Sequence, residues 1–167
     1  MINGYTCHTC GEFHADVPLC YGAEAPVHWQ VIPEAERDDR GELSSDQCII
    51  DDKHFFILGR LLISIRDHPE PFCWLVWVSL SEGNFARAHE LWHAAGRETE
   101  PPYFGWLSTL LPCYPDTVNL KANVHTRPLG ERPIVELEPT DHPLAVEQRN
   151  GITMRRVLEI AECIEHS

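Results

Sequence analysis

Positive charge is what this 167-residue sequence has least of: 13 lysines and arginines stand against 26 aspartates and glutamates, a formal net charge of -13. So acidic a chain repels a phosphate backbone unless its basic groups gather on one face. No such cluster runs along the sequence; the nearest is Arg155-Arg156, which shares its stretch with Glu159, Glu162 and Glu165 as on the solvated side of a helix. Nucleic acid and anionic membranes are therefore not expected as partners. No apolar run approaches the roughly 20 residues of a membrane span, and Met1-Ile2-Asn3-Gly4-Tyr5 lacks the character of a secretory leader. The expectation is a soluble cytoplasmic protein. Internal repeats, low-complexity segments, a Gly-rich phosphate loop and a serine in a nucleophile elbow are missing as well, so nucleotide-binding and serine-hydrolase chemistry lack their usual parts. The seven cysteines are odd in number, unlike a disulfide framework. In a reducing compartment they are expected as thiols, open to metal ligation.

What is present suits one globular domain. The hydrophobic fraction of 43% and charged fraction of 23% argue against disorder, and a domain of this length buries about 70% of its unfolded surface. Residues 1–42 read as a loop-rich clip, with Pro18, Pro26 and Pro33 too closely spaced for a long helix; a short strand over 28–32 and a helical turn over 34–39 fit within it. Residues 47–138 carry strand chemistry over 48–50, 54–58, 60–65 and 72–80. The run from Phe72 to Val78 is apolar on both sides and marks a central strand. A helix is inserted at 81–96, capped by Ser81, with Phe85, Ala88, Trp92 and Ala95 at helical spacing and Gly96 as its stop. Further strands follow at 103–111, 117–127 and 132–138, the last two joined as a hairpin through Pro128-Leu129-Gly130-Glu131. Residues 140–166 hold two helices. The first, over 142–149, has Asp141 or Thr140 as cap and Gly151 as stop; the second, over 154–166, has a stripe of Val157, Ile160, Ala161 and Ile164, with Ile152 stapled to Val157 across the cap Thr153. The expected fold is α+β: a mostly antiparallel sheet with packed helices and a metal-clipped N-terminal segment.

Chemistry is most clearly spelled in Cys7-His8-Thr9-Cys10-Gly11-Glu12-Phe13-His14. Two thiols separated by two residues can reach one ion from a tight turn, Gly11 frees the backbone behind the second thiol, and His14 follows within reach. Zinc is the expected ion. With Cys7, Cys10 and His14 as three ligands a fourth is needed, and Cys48, at the start of the first core strand, would tie the clip to the sheet; Cys20, His8 and His54 compete for the role. A redox pair of the thioredoxin type is the other reading of Cys7 and Cys10, but such a pair opens a helix after a strand, a context not found here.

The motifs Cys7-x-x-Cys10-Gly11-x-x-His14, Ser45-Asp46-Gln47-Cys48, Trp77-Val78-Ser79-Leu80, Tyr103-Phe104-Gly105-Trp106-Leu107 and the stretch from Glu138 to Arg149 together resemble a bacterial family of unknown function, domain of unknown function number 2199. The resemblance spans nearly the whole chain. It implies a single-domain, soluble bacterial protein and carries no activity with it.

A second metal pattern is His89-Glu90-Leu91-Trp92-His93, the H-E-x-x-H of zinc peptidases on a stretch read as helix: histidines at i and i+4 would share a zinc and Glu90 would act as base. The longer metzincin signature breaks at its third ligand position, which is Thr99. Asp141 and His142, with Glu147, Gln148 and Arg149 following, form a polar cluster that could supply an acid-base couple, with His125 or Arg127 from the preceding hairpin completing a pocket, but helix capping by Asp141 is the stronger explanation. Gly105 between the large rings of Tyr103, Phe104 and Trp106 suggests a close backbone approach of the kind ligands exploit. The reading that follows is a non-enzymatic, zinc-stabilised binding domain, recognising a protein or small ligand through Tyr103, Trp106, Asp141, His142 and Arg149. A metal-dependent hydrolase using His89, Glu90 and His93 is the alternative.

Overall fold

The computed structural model of the chain describes residues 3–7 and 11–166, with the backbone alone at residues 3 and 14–16. The first two strands, β1 (Asn3–Thr6) and β2 (Phe13–Asp16), form an antiparallel hairpin of their own, with Tyr5 opposite His14 and Thr6 opposite Phe13. The hairpin is closed by Cys7 donating its amide to the Glu12 carbonyl and by Gly11 donating to the Cys7 carbonyl, both at 2.9 Å. Gly11 takes φ +75°, a value a side chain disfavours. The remaining strands share one sheet: β3 (Cys20–Gly22), β4 (Gly41–Leu43), β5 (Gln47–Ile50), β6 (His54–Ile63), β7 (Phe72–Leu80), β8 (Tyr103–Leu107), β9 (Lys121–His125) and β10 (Ile134–Leu137). Among the described residues five helices accompany it: α1 (Val27–Gln30), α2 (Glu34–Arg40), α3 (Glu82–Glu90), α4 (Pro143–Asn150) and α5 (Met154–Glu165), with a 3-10 turn at Arg97–Thr99. The fold is α+β, and the sheet closes into a small barrel through β6, β7, β8, β9, β10 and back to β6.

The spine is the antiparallel pair β6 and β7, in register from Phe55 opposite Leu80 to Ile63 opposite Phe72. Along β7, Phe72, Trp74, Val76, Val78 and Leu80 join the larger core cluster, while Trp77 joins a smaller one with Ile32, Cys48, Ile50, Phe56 and Leu58. This is the period-2 alternation of a strand apolar on both faces. Each spine strand changes partner midway along its other edge. On β6, β5 pairs antiparallel with residues 54–57 and β10 then pairs in parallel at Arg60. On β7, β3 pairs in parallel with Cys73–Leu75 and β8 antiparallel with Val78–Leu80.

At such changeovers backbone groups would be stranded unless other groups satisfied them. The Trp77 amide donates to Thr109 Oγ1 at 2.8 Å, its carbonyl accepts from Ser108 N at 2.7 Å, and Thr117 Oγ1 in turn donates to the Thr109 carbonyl and accepts from the Leu111 amide. Among the described residues Ser108, Thr109 and Thr117 are the buried polar residues of the core; these bonds satisfy the two threonine hydroxyls, and Ser108 Oγ donates to the Trp106 carbonyl at 3.0 Å. Where β10 departs from β6, the Gln148 side-chain amide stands in for a strand, accepting from Leu137 N at 2.8 Å and donating to the Val135 carbonyl at 2.9 Å.

Several sequence expectations change. Residues 28–32 are not a strand: Trp29 and Gln30 both donate their amides to the Pro26 carbonyl, winding α1 in spite of the β-formers around it. The N-terminal segment holds β1, β2, β3 and β4 where loops were expected. Gly59 does not divide two strands but lies inside β6, where a Cβ would meet Val135 Cγ2 at 2.6 Å; its bareness lets β10 approach. Gly105 is likewise a place of close approach, since a Cβ there would collide with the Ser79 carbonyl and Val78 of β7. The inserted helix stops at Glu90. Its cap is Ser81, accepting from Asn84 N, as the pattern suggested. His142, rather than Asp141 or Thr140, caps α4, its Nδ1 accepting from Leu144 N at 3.1 Å. Among the described residues no helix is long and apolar enough to cross a membrane.

Cys113 and Cys163 form a disulfide across 50 residues, pinning the segment after β8 to α5, so the expectation of reduced thiols fails for this pair. A buried network lies beside it. Trp74 Nε1 donates to the Tyr114 hydroxyl, which donates to Glu147 Oε1 at 2.6 Å, and Arg156 Nε donates to Glu147 Oε2 at 2.8 Å. Burial, then the bond to Glu147, hold the Tyr114 phenol above its ordinary range. Closing a loop of this length restricts the unfolded chain by about 4 kcal/mol in the chain-entropy account. Cys163→Ser is expected to lower unfolding free energy by about 2–4 kcal/mol in urea titrations, and reducing agent is expected to do the same to the unaltered protein but not to the variant.

Candidate functional site

One cleft has a volume of about 740 Å³ and opens between the segment after α3 and the β9–β10 connection, with β6, β8, β9, Ala88 of α3 and Asp46 before β5 contributing the rest of its lining. Its apolar wall comes from Leu91, Trp92 and Leu129, with Ile57 of β6, Tyr103 of β8 and Val124 of β9 behind. The polar part is unexpected in so acidic a chain. Arg60, Arg97, Arg127 and Arg132 converge there, with Asp46 and Glu131 as the carboxylates among the lining residues.

Arg97 builds the cleft. Its Nε donates to the Arg127 carbonyl at 2.8 Å, Nη1 to the Trp92 carbonyl at 2.8 Å, and Nη2 to the carbonyls of Pro128 and Glu131 at 3.2 and 3.0 Å. One planar fork thus ties the β9–β10 connection to the chain after α3, and the guanidinium carbon lies 6.0 Å from the centre of the Trp92 ring. Gly96, at φ +81°, supplies the turn that brings Arg97 inward. Arg132 Nε bonds Asp46 Oδ1 at 2.8 Å, fastening the other end of the same connection. Arg60 and Arg127 are less well provided for. They stand 3.8 and 3.7 Å from the same Glu131 Oε1, too far for a hydrogen bond, and the Nε of each is buried with no hydrogen-bond partner. Tyr103 is 6% exposed, and its hydroxyl is pushed up to about 12 by burial first and then by the Glu100 carboxylate, so it remains a neutral phenol at physiological pH. Glu100 itself is held below the ordinary carboxylate range by its paired bonds from Arg87 Nε and Nη2.

The structure scatters the residues singled out by sequence. Tyr103 faces this cleft. Trp106 is 41% exposed on the other face of β8, edge-on to Phe104 with ring centres 5.3 Å apart, and borders a shallower hollow with His28, His54 and Phe56. Asp141, His142 and Arg149 line neither hollow. His142 is the α4 cap and Arg149 Nη1 donates to the Thr140 carbonyl at 2.7 Å, so both hold local structure. His93 lies beyond the end of α3 at the cleft edge, while His89 stacks on Phe85 and Glu90 pairs with Arg87. The shared helical face that the H-E-x-x-H pattern needs is not formed.

Cys10 and His8 lie outside the described residues, and of His14 the backbone alone is described. Cys7 is buried, its Sγ 3.2 Å from His166 Nε2 at the end of α5. Cys48 sits in the smaller core cluster, apart from the larger one that holds Cys7, and burial pushes its thiol up to about 12. Cys20 lies opposite Cys73 in the β3–β7 ladder. Among the described residues no group of three or more His, Cys, Asp or Glu side chains is arranged to hold a metal. Of the four arginines of the cleft the sequence offered only Arg127 as a pocket residue, and beside Asp141 and His142 rather than here; the others escaped notice because 72 positions separate Arg60 from Arg132 and none has a basic neighbour.

Removing the Arg97 fork leaves carbonyls of the β9–β10 connection without donors. Arg97→Ala is expected to lower stability by about 2–3 kcal/mol, given the strength of hydrogen bonds from charged donors. Hydrogen exchange at 126–133 is expected to accelerate more than elsewhere; uniform loss of protection would show that the fork does not act locally.

Residues 6–152 match the family described as an uncharacterized protein conserved in bacteria. The chain matches no curated protein and no solved structure. With most of its length inside that match, the chain belongs to the bacterial family DUF2199.

Proposed function

We propose that the protein is a non-enzymatic binding domain whose ligand site is the cleft between the segment after α3 and the β9–β10 connection. The observation that carries this reading is the cleft itself. Its volume of about 740 Å³ lies within the range of small-molecule sites, and it joins an apolar wall to a few convergent polar groups. Its boundary is also held in advance, by Arg97 at one place and the Arg132–Asp46 pair at another, which favours ligand binding without a large ordering cost. A concave site of this size suits a small molecule better than a protein surface. Titration of isotopically labelled protein with 2-naphthalenemethanol and 2-naphthoate is expected to move the amide resonances of Leu91, Trp92, Val124 and Leu129 saturably. Shifts confined to Phe104 and Trp106, or to residues 141–149, would move the site to those surfaces and refute this assignment.

Zinc at the N-terminal hairpin belongs to the same proposal. The support is the pairing of β1 with β2, which flank the Cys7-x-x-Cys10 sequence, the left-handed Gly11 that follows it, and a buried Cys7 thiol beside the His166 imidazole. Such a site would tie the hairpin to the end of α5, so that binding energy becomes folding energy. Purified protein is expected to carry about one zinc per chain by elemental mass spectrometry. Cys7→Ser/Cys10→Ser should lose the metal and unfold at lower temperature, while His89→Ala/His93→Ala should retain it. Metal-free native protein, or loss in the second variant alone, would defeat this part of the reading.

A further inference from the structure

Taking the cleft as the binding site, we infer that its ligand is a small organic anion, engaged by Arg60 and Arg127 through a carboxylate or phosphoryl group with its apolar body against Trp92 and Leu129. The chain as a whole is strongly acidic, yet here four guanidinium groups meet two carboxylates. Two of the four are already committed: Arg97 to backbone carbonyls, which accept its protons without cancelling its charge, and Arg132 to Asp46. Arg60 and Arg127 divide the single carboxylate of Glu131 at 3.8 and 3.7 Å. Arg60 reaches the Arg132 carbonyl through Nη2 at 3.3 Å, but its buried Nε and that of Arg127 donate to nothing.

A guanidinium keeps its proton at any pH the protein meets, so these donors cannot be silenced by titration, and buried donors without acceptors favour whatever supplies one. An anion with two oxygens can bridge the exposed edges of the two guanidinium groups, whose side chains are 30% and 42% exposed, because guanidinium groups bind carboxylate and phosphate through paired, charge-assisted bonds. The apolar wall lowers the local dielectric and strengthens that attraction. Size and surroundings restrict the class. The acidic surface outside the cleft repels an extended polyanion, whereas a compact anion can be drawn in by the local field. Glu131 occupies the position where the ligand's charge would sit, as a weak internal competitor between the two arginines.

The test compares three probes sharing one ring: 2-naphthoate, 2-naphthyl phosphate and the uncharged 2-naphthalenemethanol. Affinities are measured by calorimetry at constant ionic strength. At least one anion is expected to bind tenfold or more tightly than the alcohol, with Arg60→Gln and Arg127→Gln each losing most of that preference. Glu131→Gln is expected to tighten the anion severalfold and leave the alcohol unchanged; it decides the matter even where an arginine variant folds poorly. The better of the two anions identifies carboxylate or phosphoryl as the preferred head group. Equal binding of all three probes would overturn the inference while leaving the cleft as the binding site, as would an anion preference that survives both arginine variants. Failure of every probe to bind would remove the cleft reading and this inference with it.

Discussion

Two strands that each serve two partners on one edge are the constraint from which the rest of the molecule follows. β6 and β7 are longer than any other strand they pair with, so closing the ring through β8, β9 and β10 leaves part of each outer edge to β5 or β3. A partner change within a ladder interrupts its hydrogen bonds, and the interruption has to be repaired locally. On β7 the repair is made by the Ser108 amide and the Thr109 hydroxyl, and Thr117 Oγ1 in turn bonds the Thr109 carbonyl and the Leu111 amide of the segment that carries them. On β6 it is made by the backbone: Leu58 N donates to the Asp46 carbonyl and Arg60 N to the Pro133 carbonyl. This second junction forms part of the cleft, for Asp46, Arg60 and Pro133 all line it. The cleft is therefore a consequence of barrel closure rather than a surface added to it.

Electrostatics then distinguishes this junction from the rest of the surface. Several other arginines stand beside carboxylates, as Arg87 does with Glu100 and as Arg40 does with Asp51, the latter an exposed pair of the sort that contributes little to stability. Arg97 instead meets only carbonyl oxygens among its hydrogen-bond acceptors. Hydrogen-bonding demand is satisfied while the charge is left unbalanced, and the neighbouring Arg60 and Arg127 share a carboxylate too distant to bond either. A structural arginine can thus leave a residual positive field in a chain whose total charge is of the opposite sign.

Elements governed by their own residues were legible in the sequence. The apolar run of β7, the β9–β10 hairpin at Pro128 to Glu131, the cap Thr153 of α5 and the stop at Gly151 all follow from local rules and are present. The resemblance to DUF2199 was likewise legible, in motifs dispersed through the chain, and the family match confirms it. What could not be read depends on distant partners. Gly59 looks like a strand boundary until Val135 is seen packed where its side chain would be. Cys113 looks unpartnered until α5 brings Cys163 to it. The cleft's arginines belong to different elements, so an inspection for runs of basic residues finds none of them. Of the residues picked out for binding, Tyr103 was placed in the cleft by strand alternation; Trp106, on the opposite face, was not.

The H-E-x-x-H stretch shows most directly why a correct local pattern can fail. Continuing α3 through His93 and beyond would require the Trp92 carbonyl to accept the amide four residues on, at Gly96. In the folded protein that carbonyl accepts Arg97 Nη1 instead, while Trp92 N and Ala94 N make the shorter bonds of a tightening turn, to the carbonyls of His89 and Leu91. The chain has already left α-helical geometry at Trp92, whose amide reaches back three residues rather than four. A longer helix would place His89 and His93 on one face but would withdraw Arg97 from the Arg127, Pro128 and Glu131 carbonyls, releasing the connection that walls the cleft. Helical periodicity in this segment is therefore not followed past Glu90, and the chain that leaves the helix there carries the arginine that walls the cleft.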